Sequence, residues 1–338
     1  MSRFLLLGLS GLLMAACVSK AGHSKVIPFE ESKKWPFFTR EEALWIAEQR
    51  CSFSDLQNQV LEEKSLKKTF YATKKLAKKV LKTTFVGSSI AFADRNQNNS
   101  HFPFDENRVG REWESFYYNA SHVHTKDQNY IVGQPPLKKS LNDFFTVILK
   151  YDCPLIVSLA MAKEGYVPFW QIDENEPLLI NNFLIKREGE DLFLSSYREQ
   201  RLVLRSFVAT HTETNEIKRF KQLHIENIPD YSIPAHPIFI QALQTVEEMS
   251  LSSSSPIFIH CKAGVGRSGV FLLAHNIRKH LIKKTRKGEL LQDIQLNIPS
   301  HLLMLRHQRM SLVGLPHQYR ASLLAILNLA KEKTVSVN

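Results

Sequence analysis

The chain has 338 residues, of which 43% are hydrophobic, enough to bury a large core, so intrinsic disorder is excluded as the default state. With 44 Lys and Arg against 33 Asp and Glu, the formal charge of +11 favours anionic partners and says nothing about fold. Four cysteines (Cys17, Cys51, Cys153, Cys261) in a chain this long, without a CxxC pair, make neither a disulfide framework nor a zinc site.

The chain opens with a basic residue, Arg3, and an unbroken apolar or small run from Phe4 to Met14, then Ala15-Ala16-Cys17. Such a stretch reads as a targeting segment, too short to span a bilayer, which takes about 20 apolar residues. "LMAAC" resembles the bacterial lipobox, which is cut just before a lipidated cysteine, here Cys17, with Met14 where Leu is usual. Simple secretion with a cut after Ala21, and an uncleaved anchor, are the competing readings. The expectation is therefore an exported chain, either a membrane-anchored bacterial lipoprotein or a secreted, host-facing protein. Residues 1–21 form this segment, 22–37 a polar tether, 38–332 one folded domain and 333–338 a tail.

The folded part opens at Thr39, which with Glu42 makes a capping-box pattern ahead of the helical "EEALWIAEQRC". Cys51 falls near the end of that helix and reads as a small buried hydrophobe, as does Cys153. A second helix is expected over Asp55 to Leu81, with Leu66, Phe70, Leu76 and Val80 inside; its many lysines read either as a solvated face or as a patch that docks membrane or substrate. "SLNDFFTVILKY" is helical with Ser140 as candidate cap. "PLIVSLAM" and "PIFIH" are buried strands, and "DLFLSSY", "RLVLRSF" and "RFKQLHI" are β-like runs. "PIFIQALQTVEEM", "IPSHLLMLRHQR" and "HQYRASLLAILNLAKE" carry helical spacing. Strands and helices intermixed in this way predict an α/β or α+β domain.

The stretch "FIHCKAGVGRSGVF" (Phe258 to Phe271) joins one of those strands to a helix through a glycine-bearing turn. The N–H groups of Lys262, Ala263, Gly264, Val265, Gly266 and Arg267 would then lie unpaired at a helix start and form a nest for a tetrahedral oxyanion, with Gly264, Gly266 and Gly269 allowing the backbone to approach closely. A helix start of this kind favours the thiolate of a cysteine at its floor, which makes Cys261 the candidate nucleophile. Arg267 can clamp two phosphoryl oxygens with its planar fork. The turn lacks the Lys-Ser/Thr placement of a nucleotide-binding loop.

"HCKAGVGRSG" fits the HCxxGxxR[ST] signature and so resembles the cysteine-dependent protein tyrosine phosphatases. Further segments match in family order: "FPFDENRV", "YYNASHV", "GQPPL", "PLIVSLA", "IPDYSIP" as the mobile acid loop, and "LRHQRMSLVGLPHQY" as the late glutamine loop. The resemblance covers about residues 38–332. It implies the receptor-like or bacterial effector-like branch and a central mixed sheet flanked by helices. It further implies Cys261 as nucleophile, Arg267 as phosphoryl clamp, Asp230 as general acid and base, and Ser268 as a hydrogen-bond donor to the thiolate. His260 would support the loop from behind, in competition with a plain core role, as capping competes for Ser268.

Three departures stand out. Ile228 replaces the family's acid-loop Trp and Gly314 the first glutamine, leaving Gln318 to position water; Asn98 stands where the family places the tyrosine that stacks on phosphotyrosine, with His101 and Phe102 nearby. The implied substrate is a phosphotyrosine protein, and neither a metal nor a cofactor is called for. Lys262, just after the nucleophile, keeps an inositol phosphate or acidic phosphoinositide open as a substrate. A weakly active phosphate-binding module is the third reading, and nothing points to nucleic acid.

Overall fold

The computed structural model describes residues 37–335 apart from 80–81, 162–163, 173–175 and 251–253. The N-terminal segment with Cys17 and the tether before residue 37 lie outside the described residues.

The described residues begin with three helices, α1 (Arg40–Glu48), α2 (Phe53–Leu61) and α3 (Glu63–Ala77). Thr39 caps α1 in a full capping box with Glu42, as its spacing predicts. The expected single helix over Asp55 to Leu81 is two. Glu62 leaves the helical region (φ −85°, ψ 82°), so that Leu56 and Val60 of α2 and Leu66 and Phe70 of α3 all reach one core, which a straight rod would not allow. Cys51 is not helical either. It lies in a two-residue strand, β1 (Cys51–Ser52), paired with β11 (Gln295–Leu296), and it is buried as expected.

Among the described residues, the remaining strands form one nine-stranded mixed sheet. They are β2 (Ala120–His124), β3 (Asn129–Gly133), β4 (Leu155–Ser158), β5 (Leu178–Ile180), β6 (Phe183–Arg187), β7 (Leu192–Tyr197), β8 (Gln200–His211), β9 (Ile217–Glu226) and β10 (Ile257–His260). The spatial order is β2-β3-β10-β4-β9-β8-β6-β5, with β7 also paired to β8. β3, β10, β4 and β9 run parallel in the middle, and antiparallel pairs extend both sides. This is the α/β architecture that the resemblance implies.

Alternation along β10 divides the core. Ile257 and Ile259 face a cluster built with helices α5 (His236–Met249), α6 (Gly266–Arg286), α7 (Ile298–Arg306) and α8 (Pro316–Leu327). Phe258 faces the other way into an aromatic cluster with Phe144, Phe169, Phe207 and Phe220, under helix α4 (Leu141–Lys150). Ser140 does not cap that helix. Its hydroxyl accepts from the Leu137 N–H and closes the preceding turn. Because β10 is fully buried and lies between β3 and β4, the turn that follows it emerges at the C-terminal end of the parallel strands, where ligands bind in open α/β sheets.

Candidate active site

β10 ends at His260, and α6 starts at Gly266, so Cys261 to Val265 form the turn between them. Arg267 therefore sits in the first turn of the helix. Among the described residues, the backbone N–H groups of Lys262 through Arg267 donate to no protein atom, which leaves them free for an anion. Cys261 is 2% exposed at the floor of this turn.

The curl requires glycine at one position. Gly264 has φ +65°, and a Cβ there would lie 2.2 Å from the Gly133 carbonyl oxygen on the neighbouring strand β3. Gly269, expected to approach the ligand, does something else. It is inside α6, and a Cβ would stand 2.4 Å from the Val313 nitrogen, so it lets the late loop pack on the helix.

The acid loop closes over the turn. Arg267 donates through Nη1 to the Ile228 carbonyl at 2.8 Å and through Nη2 to Asp230 Oδ1 at 3.1 Å. The other oxygen of Asp230 pairs with Lys262 Nζ at 3.2 Å. The candidate nucleophile, the candidate clamp and the candidate acid, the last 31 residues before the thiol in sequence, are thus brought to one spot.

A family model described as protein-tyrosine phosphatase matches residues 92–328. The chain belongs to the protein-tyrosine phosphatase family. Among curated proteins it is similar to tyrosine-protein phosphatase non-receptor type 20 of Rattus norvegicus, 26% identical over 243 residues, covering 69% of this chain and 54% of that protein. It is also similar to tyrosine-protein phosphatase non-receptor type 2 of Homo sapiens, 31% identical over 249 residues (70% of this chain, 56% of that protein). Tyrosine-protein phosphatase 2 of Dictyostelium discoideum is 27% identical over 217 residues (63% and 54%). The chain spans about half the length of these relatives.

In this protein-tyrosine phosphatase domain, His260 is fully buried, and its Nε2 meets the Ser158 hydroxyl at 2.7 Å across the β10–β4 pair. Burial, reinforced by His224 and Arg267 nearby, pulls its pKa down to about 3 and keeps the ring neutral. Gln222 Nε2 donates to the same Ser158 hydroxyl at 2.9 Å, so His260 is braced from inside the sheet. The Ser268 hydroxyl is buried and without a hydrogen-bond partner among the described residues. Gln318 is buried too. Its Oε1 accepts from the Gly314 N–H at 3.1 Å, and its Nε2 lies 3.4 Å from the Ser232 carbonyl of the acid loop.

Asn98, at the expected substrate-stacking position, folds back instead. Its Oδ1 accepts from the N–H groups of Ser100 (3.1 Å) and His101 (3.2 Å) and closes the loop on itself. Burial, with the Arg309 charge nearby, lowers the pKa of His101 and favours its neutral ring.

Two residues of the site are not evident in the sequence. Glu164, in the loop after β4, accepts from Arg267 Nη2 through both carboxylate oxygens at 2.9 and 3.0 Å. It fixes the guanidinium from the side, and a lone acid in a loop offers no local signal of that. Arg309 lies within a quoted family segment, yet its task is visible only in three dimensions. Fully buried, it donates through Nε to the Gly264 carbonyl (2.7 Å), and through Nη2 to the Ala263 carbonyl (3.0 Å) and Asn119 Oδ1 (3.0 Å). By holding those carbonyls outward it turns the N–H groups of the curl inward. Burial pulls its pKa down to about 10, so it stays charged at neutral pH.

Proposed function

We propose that the chain hydrolyses phosphotyrosine in proteins through a cysteinyl-phosphate intermediate. The observation that carries this reading is the convergence of Arg267 and the Asp230 carboxylate at 3.1 Å over the turn that bears Cys261. The free N–H groups of residues 262–267 and Arg267 bind the phosphoryl oxygens and stabilise the charge of the transition state. Cys261 Sγ attacks phosphorus in line with the tyrosyl oxygen; the S–P bond forms as the P–O bond breaks, and Asp230 gives its proton to the departing oxygen. Water then attacks the thiophosphate and passes a proton to Asp230, releasing phosphate and the Cys261 thiolate. Gln318, next to the acid loop, positions that water, and the unpartnered Ser268 hydroxyl donates to the thiolate.

The rim supports this substrate. With Asn98 turned inward, the exposed ring beside the acid is Tyr231, 73% exposed and adjacent to Asp230. A shallow aromatic rim of this kind suits an aryl phosphate held by one ring. The N-terminal segment in turn supports export and attachment to a membrane through Cys17, which fits a lipoprotein or a host-facing bacterial effector.

The decisive assay compares phosphotyrosine peptides, phosphoserine peptides and inositol phosphates on the purified protein, with Cys261→Ser as control. Phosphotyrosine turnover is expected, lost by roughly 10⁴-fold or more in the control. Activity that survives Cys261→Ser overturns the thiol mechanism; preference for inositol phosphates, or tight binding without turnover, overturns the substrate assignment. Cys17→Ser is expected to release the protein from membranes, and unchanged fractionation would defeat that attachment.

A further inference from the structure

The acid loop lacks an aromatic anchor, yet it sits closed. Ile228 is completely buried in the main core, and its carbonyl is held by Arg267. Beyond Ile228, and apart from Ile233, which packs on the main core, the contacts that reach the loop from the body are polar and come from three places, the first being Arg267, whose Nη2 meets Asp230 Oδ1 at 3.1 Å. Lys262, carried by the phosphate-binding turn, pairs with Asp230 Oδ2 at 3.2 Å. The first turn of α8 supplies the rest: His317 Nε2 meets the Tyr231 carbonyl at 2.9 Å, and Gln318 Nε2 lies 3.4 Å from the Ser232 carbonyl. Tyr231 itself points to solvent with φ +61°, so its ring adds little burial to hold the loop down.

We propose that Lys262 and His317 are positioning residues that clasp the acid loop, Lys262 through the Asp230 carboxylate and His317 through the Tyr231 carbonyl. They take over the seating that a buried aromatic ring would give. This inference rests on the phosphatase reading. Lys262 is the neighbour of Cys261, so the cation that draws the acid in is fixed relative to the nucleophile. His317 and Gln318 are consecutive, so one helix start grips two consecutive carbonyls of the loop. The clasp places the proton donor over the leaving oxygen, and its value therefore depends on how much the leaving group needs a proton. Both partners of the Lys262 pair are about one-third exposed, which limits its contribution to a small factor.

The test measures kcat/KM for a series of aryl phosphates of graded leaving-group acidity, using the whole protein. Lys262→Met and His317→Ala are each expected to slow the substrates with poor leaving groups by about three- to five-fold. Those with highly acidic phenols should change little, and thermal unfolding should not change. Lys262→Arg should restore the loss. Placed in Asp230→Asn, Lys262→Met should add nothing further. A loss that is uniform across leaving groups, or that multiplies with Asp230→Asn, would overturn the clasp and assign Lys262 to the phosphoryl group itself. Failure of the thiol mechanism would be read separately, from Cys261→Ser.

Discussion

The phosphate-binding turn and the acid loop meet at Arg267, but they are held by opposite means. The turn is fixed from beneath by a fully buried arginine, Arg309, whose guanidinium holds the carbonyls of Ala263 and Gly264, and by a backbone bond from the Val313 N–H to the Val265 carbonyl at 3.3 Å. Beyond Ile228 and the bonds from Arg267, the acid loop is fixed from the rim, through side chains that are themselves partly in water. A cradle for a dianion gains from rigidity, because donors that do not reorganise stabilise charge best in a site that excludes water. A proton donor must let substrate in and product out, and weak polar contacts suit an element that opens on each turnover.

Substitutions that act on one region and spare the other break or sharpen this contrast. The largest effect is expected for Asp230→Asn, which keeps the loop but removes the transferable proton. Turnover of phosphotyrosine peptide should fall by roughly 10²–10⁴-fold with stability unchanged, as read by steady-state kinetics beside urea unfolding. A drop shared equally by substrates with highly acidic phenols would show that Asp230 is not the acid.

Arg309→Met should act on the turn instead. It leaves two backbone carbonyls and Asn119 Oδ1 without their donor, which costs about 3 kcal/mol of stability. Phosphate and vanadate should bind more weakly in parallel. If urea unfolding and oxyanion affinity both stayed at wild-type values, the turn would not depend on this buried arginine. The smallest effect is expected for Ile228→Trp, which offers the loop the ring it lacks. Ile228 is 0% exposed in a filled core, so overpacking should destabilise the protein by about 1–3 kcal/mol and not speed turnover. A faster enzyme of equal stability would mean that an aromatic anchor, and not the polar clasp, is what the loop wants.

Much of this was legible in the sequence where local pattern carries the information. The tetrapeptide Pro-Ile-Phe-Ile occurs twice, at 237–240 and 256–259, and the two copies take different structures. The first is in the opening turns of α5, and the last three residues of the second are in β10. Their flanks tell them apart: "QALQTVEEM" continues apolar residues at helical spacing, whereas "HCKAGVGR" ends the apolar run in a glycine turn. The sequence pattern misled where a local preference met a packing demand. Nothing between Asp55 and Leu81 is a helix breaker, yet the chain leaves the helix at Glu62 to bring two apolar faces to one core. Ser140 is a sound cap by type, but its hydroxyl serves the turn before the helix.

By itself the sequence marked the candidate centre, because Cys261, Arg267 and the two glycines between them, Gly264 and Gly266, lie within seven residues, and short-range spacing on a strand–turn–helix fixes how they face. It also marked Asp230 through the order of neighbouring segments. Only the tertiary structure decided what steadies those groups. Glu164 is 103 residues from Arg267, Arg309 is 45 from Gly264, and His317 is 86 from Tyr231. Hydrogen bonds and ion pairs act over about 3 Å, so such partners follow from the sheet order and the loop paths, which no local spacing encodes.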